Sequence, residues 1–199
     1  PNYPSFTKIE LFTDMPGAAW LDKSDLDGDG FDEYLVTCIS EGVGDWPTFI
    51  GAGAAYVVSR DGGAATGEIG TWSSEMIFNR NDEIDWPNDN SLLDVNNDGV
   101  KDWLIGTGFI PIPNGGIVWM EGYVEDGVQG FSAPAYVDTP WTDHFYHKAY
   151  PLDMDNDGDM DFVTTNYRNP ETDWLGNELA PGVAKMEWFE NNGIVGEAS

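Results

Sequence analysis

The chain of 199 residues carries 8 lysines and arginines against 36 aspartates and glutamates, a formal charge of −28. That excess excludes nucleic acid and anionic membranes as default partners, because both are bound by neutralising their charge with Lys and Arg. Hydrophobic residues at 41% and aromatics at 14%, with nine Trp, ten Phe and eight Tyr, supply apolar surface for a packed core and exclude an acidic disordered tail.

In chain order, Pro1 to Lys8 has neither the basic start nor the apolar run of a signal peptide, so a mature or trimmed chain is expected. A first strand-like run covers Phe6 to Phe12, and a short apolar approach from Ala18 to Leu21 leads into Asp25-Leu-Asp-Gly-Asp-Gly-Phe-Asp-Glu33. Strand-like runs follow at Tyr34 to Cys38, Ala54 to Val58 and Trp72 to Phe78. Cys38 is the only cysteine, so an internal disulfide is excluded and a buried, inert strand thiol is expected. Ser91 to Leu93 leads into a second acidic segment, Asp94-Val-Asn-Asn-Asp-Gly-Val-Lys-Asp102, with runs after it at Trp103 to Gly106, Gly116 to Met120 and Phe131 to Val137. His147 to Leu152 leads into a third, Asp153-Met-Asp-Asn-Asp-Gly-Asp-Met-Asp161, followed by Phe162 to Thr165 and Val183 to Phe189. No segment carries a sustained helical period with caps, and none is apolar over the about 18 residues that a membrane span needs.

The echo of approach, acidic segment and strands divides the chain into units of approximately 4–70, 71–130 and 131–193. Each holds four strands, the pattern of a β-propeller blade, so the expected fold is all-β with about three four-stranded antiparallel meanders. Each acidic segment reads D-x-[DN]-x-D-G-x-x-[DE]. Oxygen donors on alternate residues can wrap a hard cation, and the glycine permits the sharp turn. Calcium suits this set, since magnesium demands a tighter octahedron and soft metals want the Cys or His that these segments lack. An EF-hand is excluded: its twelfth-position Glu would fall on Val36, Ile105 or Thr164.

The three motifs, each between two strands, resemble the FG-GAP or VCBS-type repeats of calcium-binding β-propellers, found in integrin α-subunit heads, fungal propeller lectins, secreted polysaccharide lyases and bacterial surface proteins. The phrase Lys185-Met-Glu-Trp-Phe-Glu-Asn-Asn-Gly193 also resembles the third-strand phrase of the bacterial versions. The resemblance implies about three calcium ions, one per loop. Its ligands would fall on Asp25, Asp27, Asp29, the carbonyl of Phe31 and Glu33; on Asp94, Asn96, Asp98, the carbonyl of Val100 and Asp102; and on Asp153, Asp155, Asp157, the carbonyl of Asp159 and Asp161. Loop one carries an extra Asp32 beside Glu33, and loop two, with one carboxylate fewer and Lys101 inside it, should be the weakest site.

Propellers typically have about four to eight blades, and three would leave open edges. A fragment of a larger propeller, or a chain completed by its neighbours, is therefore expected, with Phe6 to Phe12 pairing to Lys185 to Asn191 in the same ring or in a neighbouring chain. In such meanders the face opposite the calcium loops collects the remaining long loops, with Trp46, Trp86, Trp141 and Trp174 beside Asp45 and Asn166. Flat rings beside directional polar groups suit glycans or another cell-surface ligand; the alternative is that these rings pack between blades, as expected for Trp103, Trp119 and Trp188 in strands. His144, Tyr146, His147, Tyr167 and Arg168 form the one cluster suited to acid–base chemistry, which leaves a polysaccharide-lyase reading open. The two histidines, three apart in a strand, should point to opposite faces. A third class is a structural or adhesive subunit that self-associates through open blade edges. If extracellular calcium stands about a hundredfold above their dissociation constants, such loops would be largely empty at cytosolic calcium levels, so a secreted or periplasmic location is expected.

Overall fold

A computed structural model describes residues 4–8, 10, 15, 17–39, 53–60, 72–79, 82, 84–109, 115–138, 144–168 and 170–193. The fold is all-β and built from antiparallel sheets, with no α-helix among the described residues. The first sheet is a meander of β1 (Ala18–Ser24), β2 (Glu33–Cys38), β3 (Ala54–Arg60) and β4 (Trp72–Phe78), in that order. The second sets β5 (Pro87–Leu93), β6 (Asp102–Thr107), β7 (Ile117–Met120) and β10 (Ala135–Tyr136) in the same sequence, with a hairpin of β8 (Gly122–Glu125) and β9 (Val128–Phe131) inserted after β7. The third joins β11 (His144–Leu152), β12 (Asp161–Arg168) and β15 (Val183–Phe189), with a small hairpin of β13 (Glu171–Thr172) and β14 (Glu178–Ala180) between the last two.

Two local details differ from the expected strands. The run from Phe131 to Val137 is split, because Pro134 cannot donate to a ladder: Phe131 ends β9 while Ala135 and Tyr136 pair with β7. The described part of Phe6 to Phe12 carries no strand, Phe6 is exposed, and β15 pairs only with β12 among the described residues. No closed ring forms among them.

β5 lies beside β1 and β2 on one side and beside β11 on the other, which aligns the first strands of the three sheets. β6 is buried along its whole length because it has a core on each face. Trp103 and Ile105 pack with Leu35, Val57 and Phe78 of the first sheet, while Leu104 packs with Tyr146, Ala149 and Phe162 of the third. A smaller cluster on the far face of the first sheet contains Val36, Tyr56 and Cys38. Cys38 is fully buried, and burial pushes its thiol up to about 11.

Side-chain bonds to main chain tie the sheets where they meet. Thr37 Oγ1 donates to Asn88 O (2.7 Å), Asn88 Nδ2 to Tyr146 O (2.9 Å), and Ser91 Oγ to Ala149 O (2.7 Å). Close approach of β11 needs glycine on the second sheet: a Cβ at Gly106 would stand 2.7 Å from Tyr146 O and 2.8 Å from the His147 carbonyl.

Candidate metal centre and the opposite end

The loops from β1 to β2, β5 to β6 and β11 to β12 leave equivalent strand ends, so the acidic segments share one end of the molecule. They also share one conformation. The fourth residue is left-handed in each (Gly28 φ 75°, Asn97 φ 58°, Asn156 φ 64°), as is the sixth (Gly30 φ 90°, Gly99 φ 88°, Gly158 φ 100°). Glycine and asparagine are the residues that enter this region most readily.

The first carboxylate receives the N–H of the sixth residue: Asp25 from Gly30 at 3.1 Å, Asp94 from Gly99 at 2.8 Å, Asp153 from Gly158 at 3.2 Å. The third receives the N–H of the fifth, with Asp27, Asn96 and Asp155 as acceptors at 3.0, 3.2 and 3.2 Å. The fifth receives the N–H of the seventh: Asp29 from Phe31 at 2.7 Å, Asp98 from Val100 at 2.8 Å, and Asp157 from Asp159 at 2.9 Å. These turns gather the donor oxygens. In Asp25, Asp27 and Asp29, and again in Asp153, Asp155 and Asp157, one oxygen from each carboxylate lies within 4.8 Å of the others, so both triads can hold a metal ion. Loop two forms no such triad. Its central Asn96 turns its Nδ2 to Asp98 Oδ2 and to Glu121 Oε1, both at 3.1 Å.

The ninth residues occupy a different environment. Glu33, Asp102 and Asp161 are buried. Each receives the N–H of the second loop residue: Leu26 at 2.7 Å, Val95 at 2.9 Å and Met154 at 3.0 Å. The second oxygen of Asp102 receives Gly122 N (2.8 Å), and that of Asp161 receives Asn191 N (2.7 Å). The Asn191 N–H holds the Asp161 carboxyl below the ordinary value of 3.8 against the opposing effect of burial, whereas burial raises Glu33. The loops are bridged as well. Asn97 Nδ2 donates to Asp159 Oδ1 (2.6 Å), and Asn191 Nδ2 to Val95 O (2.7 Å) and Met160 O (3.3 Å). From the β8–β9 hairpin, Gln129 N reaches Leu26 O (2.8 Å) and Gln129 Nε2 reaches Lys101 O (2.6 Å).

At the other end, Asp45, Trp46 and Trp141 lie outside the described residues. Trp86 is buried in a left-handed conformation (φ 46°), and Phe109 stacks on its ring at 4.6 Å. Trp174 is the opposite case, 90% exposed at the tip of the β13–β14 hairpin. Of the acid–base candidates, His144, Tyr146 and Arg168 line one cavity of about 620 Å³ together with Asn166. Tyr167 and His147 border a separate recess with Phe145. Tyr146 donates to Glu187 Oε2 (3.2 Å), and burial, aided by the Glu187 charge, pushes its phenol up to about 12. Sequence reasoning overlooked Glu187 and Lys185 as cavity residues; their alternation with Val183 along one strand was the available signal. Compared with known proteins, the chain matches no protein-family model, no curated protein and no solved structure.

Proposed function

We propose that the chain is a calcium-stabilised module of the FG-GAP/VCBS β-propeller kind, secreted or periplasmic, that binds a glycan or another cell-surface ligand through the end opposite its acidic loops. The observation that carries this reading is the common conformation of the three loops, with two carboxylate triads gathered for a cation. The donor set fits calcium: every candidate ligand is oxygen, and Asp153 Oδ1 is buried with no hydrogen-bond partner, a charge that a cation in this loop would answer. Asp25, Asp27 and Asp29 would hold one ion and Asp153, Asp155 and Asp157 another. Loop two, with Asn96 facing its neighbours as a donor, would bind most weakly. The three successive meanders with first strands side by side are what blades of an incomplete propeller would present.

An exposed Trp174 and a cavity with both apolar and polar lining residues at the end away from the loops support ligand binding there. A lyase has less support, since Tyr146 keeps its proton beside Glu187 and Tyr167 faces elsewhere. One observation favours assembly as a second reading: Tyr150, Met186 and Trp188 leave the third sheet with an exposed apolar surface. A glycan array run in calcium and in chelator tests the glycan reading, with calcium-dependent binding expected; no glycan bound in either condition refutes the glycan as ligand. Light scattering across a concentration series tests assembly, which Met186→Lys should abolish.

A further inference from the structure

The wedge between the second and third sheets opens, at the end away from the acidic loops, into the cavity of about 620 Å³, a size within the usual range for small-molecule sites. Its floor and rim are one face of the third sheet, where strand pairing sets His144, Arg168 and Val183 in one row and Tyr146, Asn166 and Lys185 in the next. Asp138, just past β10, lines the cavity from the second sheet. Its charges are answered locally. Lys185 Nζ stands 3.6 Å from Glu187 Oε1, and Arg168 Nη1 stands 3.7 Å from Glu171 Oε1. The other Glu187 oxygen takes the Tyr146 hydroxyl at 3.2 Å and the Asn166 amide.

Two polar atoms of the lining remain unsatisfied. Asn166 Oδ1, an acceptor, and Arg168 Nε, a donor, are shielded from solvent and have no hydrogen-bond partner. Asn166 itself is 3% exposed. Such atoms are uncommon in folded proteins because leaving them unpaired is costly. A carboxylate would answer only the arginine and an ammonium only the asparagine, whereas a hydroxyl both donates and accepts. With the cations already paired, an anion gains little net attraction, and Val183 and Phe189 add apolar wall for a ring face. The hairpin bearing Trp174 rises between Arg168 and Val183, at the cavity rim.

We propose that this cavity is a binding subsite for a neutral, hydroxyl-rich ligand, a non-acidic sugar residue, with Asn166 and Arg168 as the contacts that set its specificity. The proposal rests on the reading of the chain as a glycan-binding module and assigns that module's site and ligand class. Isothermal titration of the full chain in calcium, with mannose, galactose, N-acetylglucosamine, glucuronate and galacturonate as probes, tests it. A neutral sugar should bind in the millimolar range and the two uronates more weakly. Arg168→Gln, at the half-exposed rim, and Val183→Trp, which fills the mouth, should each weaken binding by about tenfold or more while leaving the melting curve unchanged. Asn166→Leu should weaken binding likewise while lowering the melting temperature, because its amide also holds Glu187, and if it fails to fold the two rim variants still decide. Binding that persists within about twofold in both rim variants would overturn the cavity and leave the glycan reading standing. Preference for a uronate would overturn the neutral class. Absence of binding by any probe at tens of millimolar would overturn the subsite, and a blank glycan array beside it would remove the broader reading too.

Discussion

The carboxylate of Asp102 illustrates how much one buried side chain can hold. Both oxygens accept main-chain N–H groups, one from its own loop at Val95 and one from Gly122 beyond the third strand. Asp102→Ala removes two charge-assisted bonds and strands two donors, so it should cost roughly 3 kcal/mol or more. Urea unfolding should register that loss equally in calcium and in chelator; a loss confined to calcium would make Asp102 a ligand rather than a clamp. Gly106→Ala presses a methyl into the β11 backbone and should cost on the order of 1–3 kcal/mol in the same assay. Gly28→Asn should stay within about 1 kcal/mol of the parent, because asparagine already takes the equivalent left-handed position in the other two loops and nothing lies near a Cβ there.

Among the elements, the β13–β14 hairpin owes its shape to one aspartate. Asp173 accepts Leu175 N (2.9 Å), Asn177 N (2.8 Å) and Asn177 Nδ2 (2.8 Å). The Asn177 side chain first, then its N–H, hold the Asp173 carboxyl below the ordinary 3.8. A carboxyl that titrates lower when folded contributes fully above its unfolded pKa and loses that contribution as pH falls through the folded value. Protection of the Leu175 and Asn177 amides from hydrogen exchange should therefore hold at pH values above 3.8 and decline below it, with Asp173→Ala unprotected throughout.

The same elements show what could be read in advance. The acidic loops and most strand centres were legible because their signals are local: a glycine in fixed register, and β-branched runs between turns. The β8–β9 hairpin had a signal as well, Asp126-Gly127 with both residues left-handed, the usual chemistry of a tight hairpin. Trp86 and Trp174 could not be told apart, since the burial of one depends on Phe109. The clamping role of Asp102 and Asp161 was equally hidden, because their second partners, Gly122 in β8 and Asn191 just past β15, are distant in sequence.

For the molecule as a whole, the acidic loops concentrate negative charge at one end of a chain with net charge −28. Self-repulsion of this kind destabilises the compact state, and bound cations offset it. At a hundredfold excess over the dissociation constant, each site would add roughly 2.7 kcal/mol, against a usual net stability of about 5–15 kcal/mol. Chelation should lower the melting temperature markedly; an unchanged calorimetric trace after complete calcium removal would refute a structural role. Because Gln129 and Asn191 bridge neighbouring loops, the loss should appear as one transition.

Cys38 gives the molecule a clock of its own. The thiol lies inside the first sheet with its ionisation suppressed, and no other cysteine competes for a reagent. A thiol-specific label can therefore react only when that sheet opens, and its rate counts the openings. Timed with and without calcium, the single modification would report whether ions at one end of the chain set how often a strand in the interior comes apart.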